Sequence, residues 1–264
     1  MAYIMGTDAA ETLTGTDSGD AILGFAGDDH IIGLDGSDQL FGHGGADLLE
    51  GGLGDDIYQL IDDRSDTIID IGGWDTIRAT VGTDLEDYPE IENLTMVIDY
   101  SGRALLGNAL GNELIDWGGS NRLDGRDGND YLNAGAGNDL LIGGLGTEFM
   151  LGGQGRDRFD FLDVDEIGVG ETTRDVIWDF KPTADRINLG SIDANERFAG
   201  NQAFQLLGFA EFTGKAGELR WVYEQRADLS AVTLVEGDTD GDGVADFQLE
   251  LNGRLPMYAA DFIL

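Results

Sequence analysis

The chain has 264 residues, with 52 Asp and Glu against 15 Lys and Arg, a formal net charge of −37, 42 glycines and no cysteine. A surface this acidic repels phosphate backbones and anionic lipid heads, which excludes nucleic acid and membrane surfaces as partners, because nucleic-acid binding needs Lys and Arg to displace counterions. The lack of cysteine removes disulfides, thiolate metal sites, cysteine nucleophiles and redox switching together.

The opening residues, Met1 to Asp8, carry neither a basic region nor an apolar stretch of about 7–15 residues, so no amino-terminal signal peptide is expected. No apolar run approaches the roughly 20 residues of a membrane span, so no membrane insertion is expected either. With 41% hydrophobic residues the chain can bury a core. Its lopsided charge nevertheless pushes a compact state apart unless cations neutralise it.

Residues 6–59 divide into six nonapeptides, from GTDAAETLT to GGLGDDIYQ, and residues 107–160 into six more, from GNALGNELI to GGQGRDRFD. The eighth position is large and apolar in all twelve: Leu13, Ile22, Ile31, Leu40, Leu49 and Tyr58, then Leu114, Leu123, Leu132, Leu141, Met150 and Phe159. Against a 41% background this makes the period real. The sixth position is Asp eight times, Glu twice and Asn twice, while Gly holds the first position in ten repeats and the fourth in nine.

Glycines at positions one and four permit positive φ and close backbone approach. The first six residues then form a tight turn with inward carbonyls, and the last three a short strand with one buried residue. A carboxylate among converging carbonyls makes an all-oxygen site for a hard cation, which points to Ca²⁺ rather than zinc or copper. Residues 6–59 contain twelve acids and no Lys or Arg. That array is expected not to fold without cations.

These GGxGxDxUx units resemble the calcium-binding repeat of the RTX (repeats-in-toxin) proteins. The resemblance implies right-handed parallel β-rolls, with two nonapeptides per coil and Ca²⁺ held between repeats i and i+2. Carried onto this sequence, the paired acids are Asp20/Asp38, Asp29/Asp47, Asp38/Asp56 and Asp139/Asp157. Asn112/Asp130, Asn121/Asp139 and Asp130/Glu148 depart from the pattern, and weaker or absent binding is expected there. Leu110, in place of the fourth glycine, is expected to make a poor turn.

Residues 60–106 break the period but keep short β-like runs, and "IENLT…LGN" resembles the connector between RTX arrays, implying β-helical coils between the two rolls. The acidic segment Asp84 to Glu90 reads as an exposed loop without a partner.

From residue 161 glycine thins out and strands lengthen. Runs beginning at Asp175, Asp185, Ala203, Glu218, Ala231 and Asp246 read as an antiparallel β-sandwich cap that hides the open edge of the roll. "RDVIWDFKPTADRINL", "FTGKAGELRW" and the closing "DFIL" resemble the carboxy-terminal region of serralysin-type metalloproteases. Within the cap, Asp238, Asp240, Asp242 and Asp246 form a DxDxDG loop that is either a hairpin-borne Ca²⁺ site or a plain acidic turn, since Leu249 stands where an EF-hand has its bidentate Glu. The tail Ala260 to Leu264 is an edge strand or, as the resemblance implies, a signal for the type I secretion machinery.

The two histidines, His30 and His43, cannot form the HExxH zinc motif of serralysins and are read as surface residues. Trp74, Trp117, Trp178 and Trp221 are expected to pack in core or cap, with a sugar-stacking platform as the alternative.

The expected fold is thus all-β, with a first roll at 1–59, a β-helical connector at 60–106, a second roll at 107–160 and a β cap at 161–264. The candidate metal ligands are Asp20, Asp29, Asp38, Asp47, Asp56, Asp130, Asp139, Asp157, Asp238, Asp240, Asp242 and Asp246, holding several Ca²⁺ per chain. The expected function is that of a secreted, extracellular, non-catalytic calcium-binding protein that folds on meeting Ca²⁺, with a polysaccharide or a second copy as possible partner. The alternative is a carrier module of a larger secreted enzyme, such as a serralysin or a mannuronan C5-epimerase.

Overall fold

Each apolar eighth position lands in a strand too short to stand alone, so stability requires stacking one coil on the next. The structure, a computed structural model, describes residues 1–60, 65–195, 197–226 and 230–264. Ten parallel strands form one wall: Tyr3–Met5, Ala21–Ala26, Gln39–Gly44, Ile57–Leu60, Thr76–Ala79, Asn93–Met96, Glu113–Ile115, Tyr131–Asn133, Phe149–Leu151 and Val176–Ile177. The intervening strands form the other wall in two sheets. One comprises Thr12–Thr14, His30–Asp35, Leu48–Leu53 and Thr67–Ile69; the other runs from Thr83–Asp84 through Arg122–Asp127 and Leu140–Leu145 to Phe262–Ile263.

Register shows two nonapeptides per coil. Ile22 pairs with Leu40 and Leu40 with Tyr58, steps of 18 residues; Leu114 pairs with Leu132 and Leu132 with Met150, again 18 apart. The stretch 60–106 supplies coils of the same ladder, Tyr58 to Ile77 to Leu94 to Leu114, in steps of 19, 17 and 20 residues. The first wall therefore runs unbroken through the connector, and only the second wall is divided there. One core cluster contains this whole apolar column, including Ile22, Leu40, Tyr58, Ile77, Leu94, Leu114, Leu132 and Met150, all fully buried. Each such side chain contributes about 1.5–3 kcal/mol by leaving water.

The turns differ from expectation in which positions are left-handed. Position four is, as at Gly36 (φ 120°) and Gly45 (φ 147°), but position one is not; position two is instead, at Phe25 (φ 77°), Leu34 (φ 85°), His43 (φ 68°) and Arg126 (φ 74°). Glycine at position one is required by space. A Cβ at Gly33 would overlap Asp38 Oδ2 and lie 2.5 Å from the Gly51 carbonyl oxygen. Leu110 is tolerated because its N–H donates to Asn108 Oδ1 at 2.9 Å, a side-chain turn replacing the glycine one.

The segment Asp84 to Glu90 is not a free loop. Leu85–Asp87 form a 3₁₀ turn that buries Leu85 and is followed by the buried Tyr88, while Arg126 clamps Asp84 at 2.7 and 3.0 Å. Two apolar anchors in an otherwise acidic run decide this. Among the described residues no helix is long and apolar enough to cross a membrane.

Beyond residue 161 the strands extend the same two walls. Phe247–Asn252 pairs in parallel with Val176–Ile177 and then antiparallel with Ala231–Asp238, which pairs antiparallel with Glu218–Gln225. Phe262–Ile263 closes the other wall against Arg186–Asn188. At this end Arg174 is buried with Glu250 at 2.7 Å. Of the four tryptophans only Trp221 is buried; Trp74, Trp117 and Trp178 are exposed. Trp178 follows the buried Ile177, so strand alternation turns it outward, where it meets Phe149 (centroids 5.4 Å apart), which stacks on Tyr131 (5.8 Å).

Candidate metal centre

The sixth position lies two residues before each core side chain, at the rim of the coil, so the 18-residue register stacks these acids into a column on each side of the roll. Within a column the geometry repeats. The Asp20 N–H donates to Asp38 Oδ1 at 2.7 Å, Asp38 N–H to Asp56 Oδ1 at 2.7 Å, and Asp29 N–H to Asp47 Oδ1 at 2.8 Å. In the second array Asn112 N–H reaches Asp130 Oδ1 at 2.7 Å, Asn121 reaches Asp139 at 2.7 Å, and Asp139 reaches Asp157 at 3.0 Å.

In six of these acids one oxygen is thus used, and the other is not. Oδ2 of Asp29, Asp38, Asp56, Asp130, Asp139 and Asp157 is buried with no hydrogen-bond donor. Desolvation pushes Asp56, Asp130 and Asp139 up to about 7 and Asp157 up to about 6, and raises Asp29 and Asp38 as well. A buried carboxylate without a counter-charge costs several kcal/mol, and hard cations with flexible oxygen coordination remove that cost. The donor set is all oxygen and anionic, so the residues present fit calcium.

Not every expected residue is of this kind. Asp20 is satisfied by protein donors. Its Oδ1 accepts the Ala2 N–H, its Oδ2 accepts the Thr16 N–H at 2.7 Å and hydroxyl at 2.8 Å, and the Ala2 N–H foremost holds its carboxyl below the usual range. In the hairpin loop, Asp238, Asp240 and Asp242 bring an oxygen each within 4.8 Å of one another. Asp246 stands apart, its Oδ2 accepting the Thr239 N–H at 2.7 Å and hydroxyl at 2.6 Å.

Sequence reasoning missed members of the columns outside the nonapeptide arrays. Asp56 N–H donates to Asp75 Oδ1 at 2.8 Å, Asp75 N–H to Glu92 Oε2 at 2.8 Å, and Glu148 N–H to Asp175 Oδ1 at 3.0 Å. The pair Glu148 and Asp175 is buried where roll meets cap; Glu148 is pushed up by burial first and by the Asp175 charge second. The signal was present: each is an acid two residues before a core residue, as in Asp75-Thr76-Ile77 and Asp175-Val176-Ile177. His30 pairs with Glu50 at 2.7 Å, and His43 stacks against Phe25 and Phe41, both outside the columns.

A stack of nonapeptide coils carrying a column of acids at each rim defines a calcium-binding RTX module, and family comparison agrees. Residues 5–40 and 23–58 match the RTX calcium-binding nonapeptide repeat (4 copies), and residues 129–264 match the Peptidase M10 serralysin C terminal model. The chain belongs to the serralysin C-terminal family, whose model spans more than half of it. No curated protein matches it. Similar solved structures include the solution structure of the AlgE6R3 subunit of the Azotobacter vinelandii mannuronan C5-epimerase, 24% identical, covering 64% of this chain and 82% of that one with a TM-score of 0.38. The AlgE6R2 subunit of the same epimerase is also 24% identical, covering 65% and 90% with a TM-score of 0.31.

Proposed function

We propose that the protein is a secreted, non-catalytic module that folds as it takes up calcium outside the cell. Its ligands in this reading are Asp29, Asp38, Asp47, Asp56, Asp130, Asp139 and Asp157 in the columns and Asp238, Asp240 and Asp242 in the hairpin. Asp20 and Asp246 are lesser contributors, Asp20 because protein donors occupy both of its oxygens and Asp246 because it lies outside the cluster of the three hairpin acids. The observation that carries this reading is the row of buried carboxylate oxygens without donors. Without metal each opposes folding; with metal each supports it, so calcium binding free energy becomes folding free energy. Dilute cytosolic calcium leaves the chain open for export, and abundant external calcium closes it.

The tail supports the same order of events. Asp261 and Phe262 are buried, and Asp261 Oδ1 accepts the Thr183 N–H at 2.7 Å. A type I translocator reading these last residues reads them before the cap forms. Outside the cell, the exposed Trp178 beside Phe149 and Tyr131 offers an aromatic surface for a polysaccharide, and surface or matrix association follows from it.

A second reading, a carrier module of a larger secreted enzyme such as a serralysin or mannuronan C5-epimerase, is favoured by the family match over residues 129–264. The size of the native secreted species separates the two: a product of about this chain's length supports the first, and a much longer one the second. Circular dichroism during a calcium titration tests the folding step, and full β-structure in chelator overturns it.

A further inference from the structure

After a one-residue slip at Leu60 the nonapeptide frame resumes, and residues 70–78 read DIGGWDTIR, with Asp75 at position six and Asp70 at position one. Position one is glycine throughout the preceding array. Asp70 therefore adds a third carboxylate to a rim that elsewhere carries two. Asp56, Asp70 and Asp75 are all buried, and one oxygen of each lies within 4.8 Å of the others.

Their hydrogen bonds leave the inward oxygens short of donors. Oδ1 of Asp56, Asp75 and Asp70 accept the N–H groups of Asp38 (2.7 Å), Asp56 (2.8 Å) and Gly72 (2.9 Å). Asp70 Oδ2 takes the Tyr58 hydroxyl, while Oδ2 of Asp56, a residue 1% exposed, has no partner. These groups converge over the bare face of Gly51. A Cβ there would overlap the Tyr58 hydroxyl and Asp56 Oδ2 and stand 2.8 Å from Asp70 Oδ2.

The same molecule contains the counterpart without the excess charge. Residues 116–124 read DWGGSNRLD, again with Asp at position one, but with Asn121 at position six. There the Asn121 amide donates to Asp116 Oδ2 and to the Gly118 carbonyl (3.0 Å), and the register partner in the place of Asp56 is Arg103, whose N–H donates to Asn121 Oδ1 at 2.8 Å. One coil carries Asp, Asn and Arg; the other carries three Asp. In the first the Asn121 amide donates to Asp116 Oδ2, and in the second Asp75 has no side-chain amide to offer Asp70.

We propose that Asp56, Asp70 and Asp75, with the Tyr58 hydroxyl fixing Asp70, hold one additional divalent hard cation, calcium first, at the seam between the first array and the connector. The site rests on the calcium-binding reading of the columns and takes Asp56 and Asp75 from one of them, but Asp70 comes from a position that is glycine throughout the first array. Three carboxylates give it more negative charge than any regular pair, so it fills before them as calcium rises.

The test counts metal ions per chain by mass spectrometry on full-length protein equilibrated in buffered calcium, with hydrogen exchange followed over residues 65–79. Asp75→Asn recreates the Asp116–Asn121 pairing, so it is expected to fold in calcium and to bind one ion fewer than the unmutated chain. Asp70→Ala leaves the Asp56 and Asp75 column intact and is expected to lose the first-filling ion only. An unchanged ion count in either folded variant, or protection of 65–79 in the unmutated chain that does not respond to calcium, overturns the site. An unmutated chain that binds no calcium at all overturns the broader reading instead.

Discussion

Asp38 Oδ1 accepts the backbone N–H of Asp20 at 2.7 Å, while its Oδ2 stays buried without a donor. One carboxylate thus ties two coils together and leaves half of itself for a ligand. The consequences of that division of labour are measurable.

Asp38→Ala removes both halves. The orphaned Asp20 N–H costs about 1–3 kcal/mol, and the rim loses an oxygen donor. A lower urea midpoint in saturating calcium, together with weaker calcium binding by calorimetry, is the expected outcome; Asp20→Ala, where Thr16 already occupies the carboxylate, changes calcium binding less.

Neighbouring turn residues should respond in opposite directions. Gly33→Ala forces a methyl onto Asp38 Oδ2 and the Gly51 carbonyl and is expected to destabilise by about 1–3 kcal/mol. Leu34 holds φ 85°, a conformation that costs a non-glycine residue about 1–2 kcal/mol. Allowing for glycine's extra chain entropy, Leu34→Gly is expected to raise stability by about 0.5–1 kcal/mol. Chemical denaturation in saturating calcium reads both.

Stability without metal should rise on acidification. Asp56, Asp130 and Asp139 titrate near about 7 in the folded chain because burial disfavours their charge, against roughly 3.9 when unfolded. A carboxyl with a raised folded-state value favours folding below its unfolded value and loses that contribution as pH rises through the folded one. In chelator, β-signal is therefore expected to grow from pH 8 to pH 5.5. In calcium the slope reverses, since protons then compete with the ion for the same oxygens. Parallel circular dichroism titrations compare the two slopes.

Calcium removal should open the chain unevenly. At Asn112 and Asn121 a neutral amide, which donates hydrogen bonds of its own, stands where other coils carry a carboxylate. Asn112 Nδ2 reaches the Glu92 carbonyl and Asn108 Oδ1, both at 3.1 Å, and Asn108 Nδ2 reaches the Ile91 carbonyl at 2.9 Å. Amides of residues 107–125 are expected to keep more hydrogen-exchange protection in chelator than those of 15–59. Equal loss across both segments would contradict this.

The sequence by itself determined the period, the inward residue at position eight, the acids at position six and the strands beyond residue 161, because each is a local pattern repeated until chance is excluded. The same locality hid what depends on register. The nonapeptide frame slips by one residue at Leu60, so Asp75, Asp70 and Glu92 looked unrelated to the arrays until the ladder Tyr58 to Ile77 to Leu94 aligned them. Which turn positions become left-handed, which glycines are needed only for room, and that Leu85 and Tyr88 pin an acidic loop all follow from contacts between residues far apart in the chain. Tertiary stacking alone decided which carboxylate oxygens are answered by a protein donor and which are left facing one another. Burial converts that difference into a demand for a cation, and burial is a property of the stack, not of any nine residues in it.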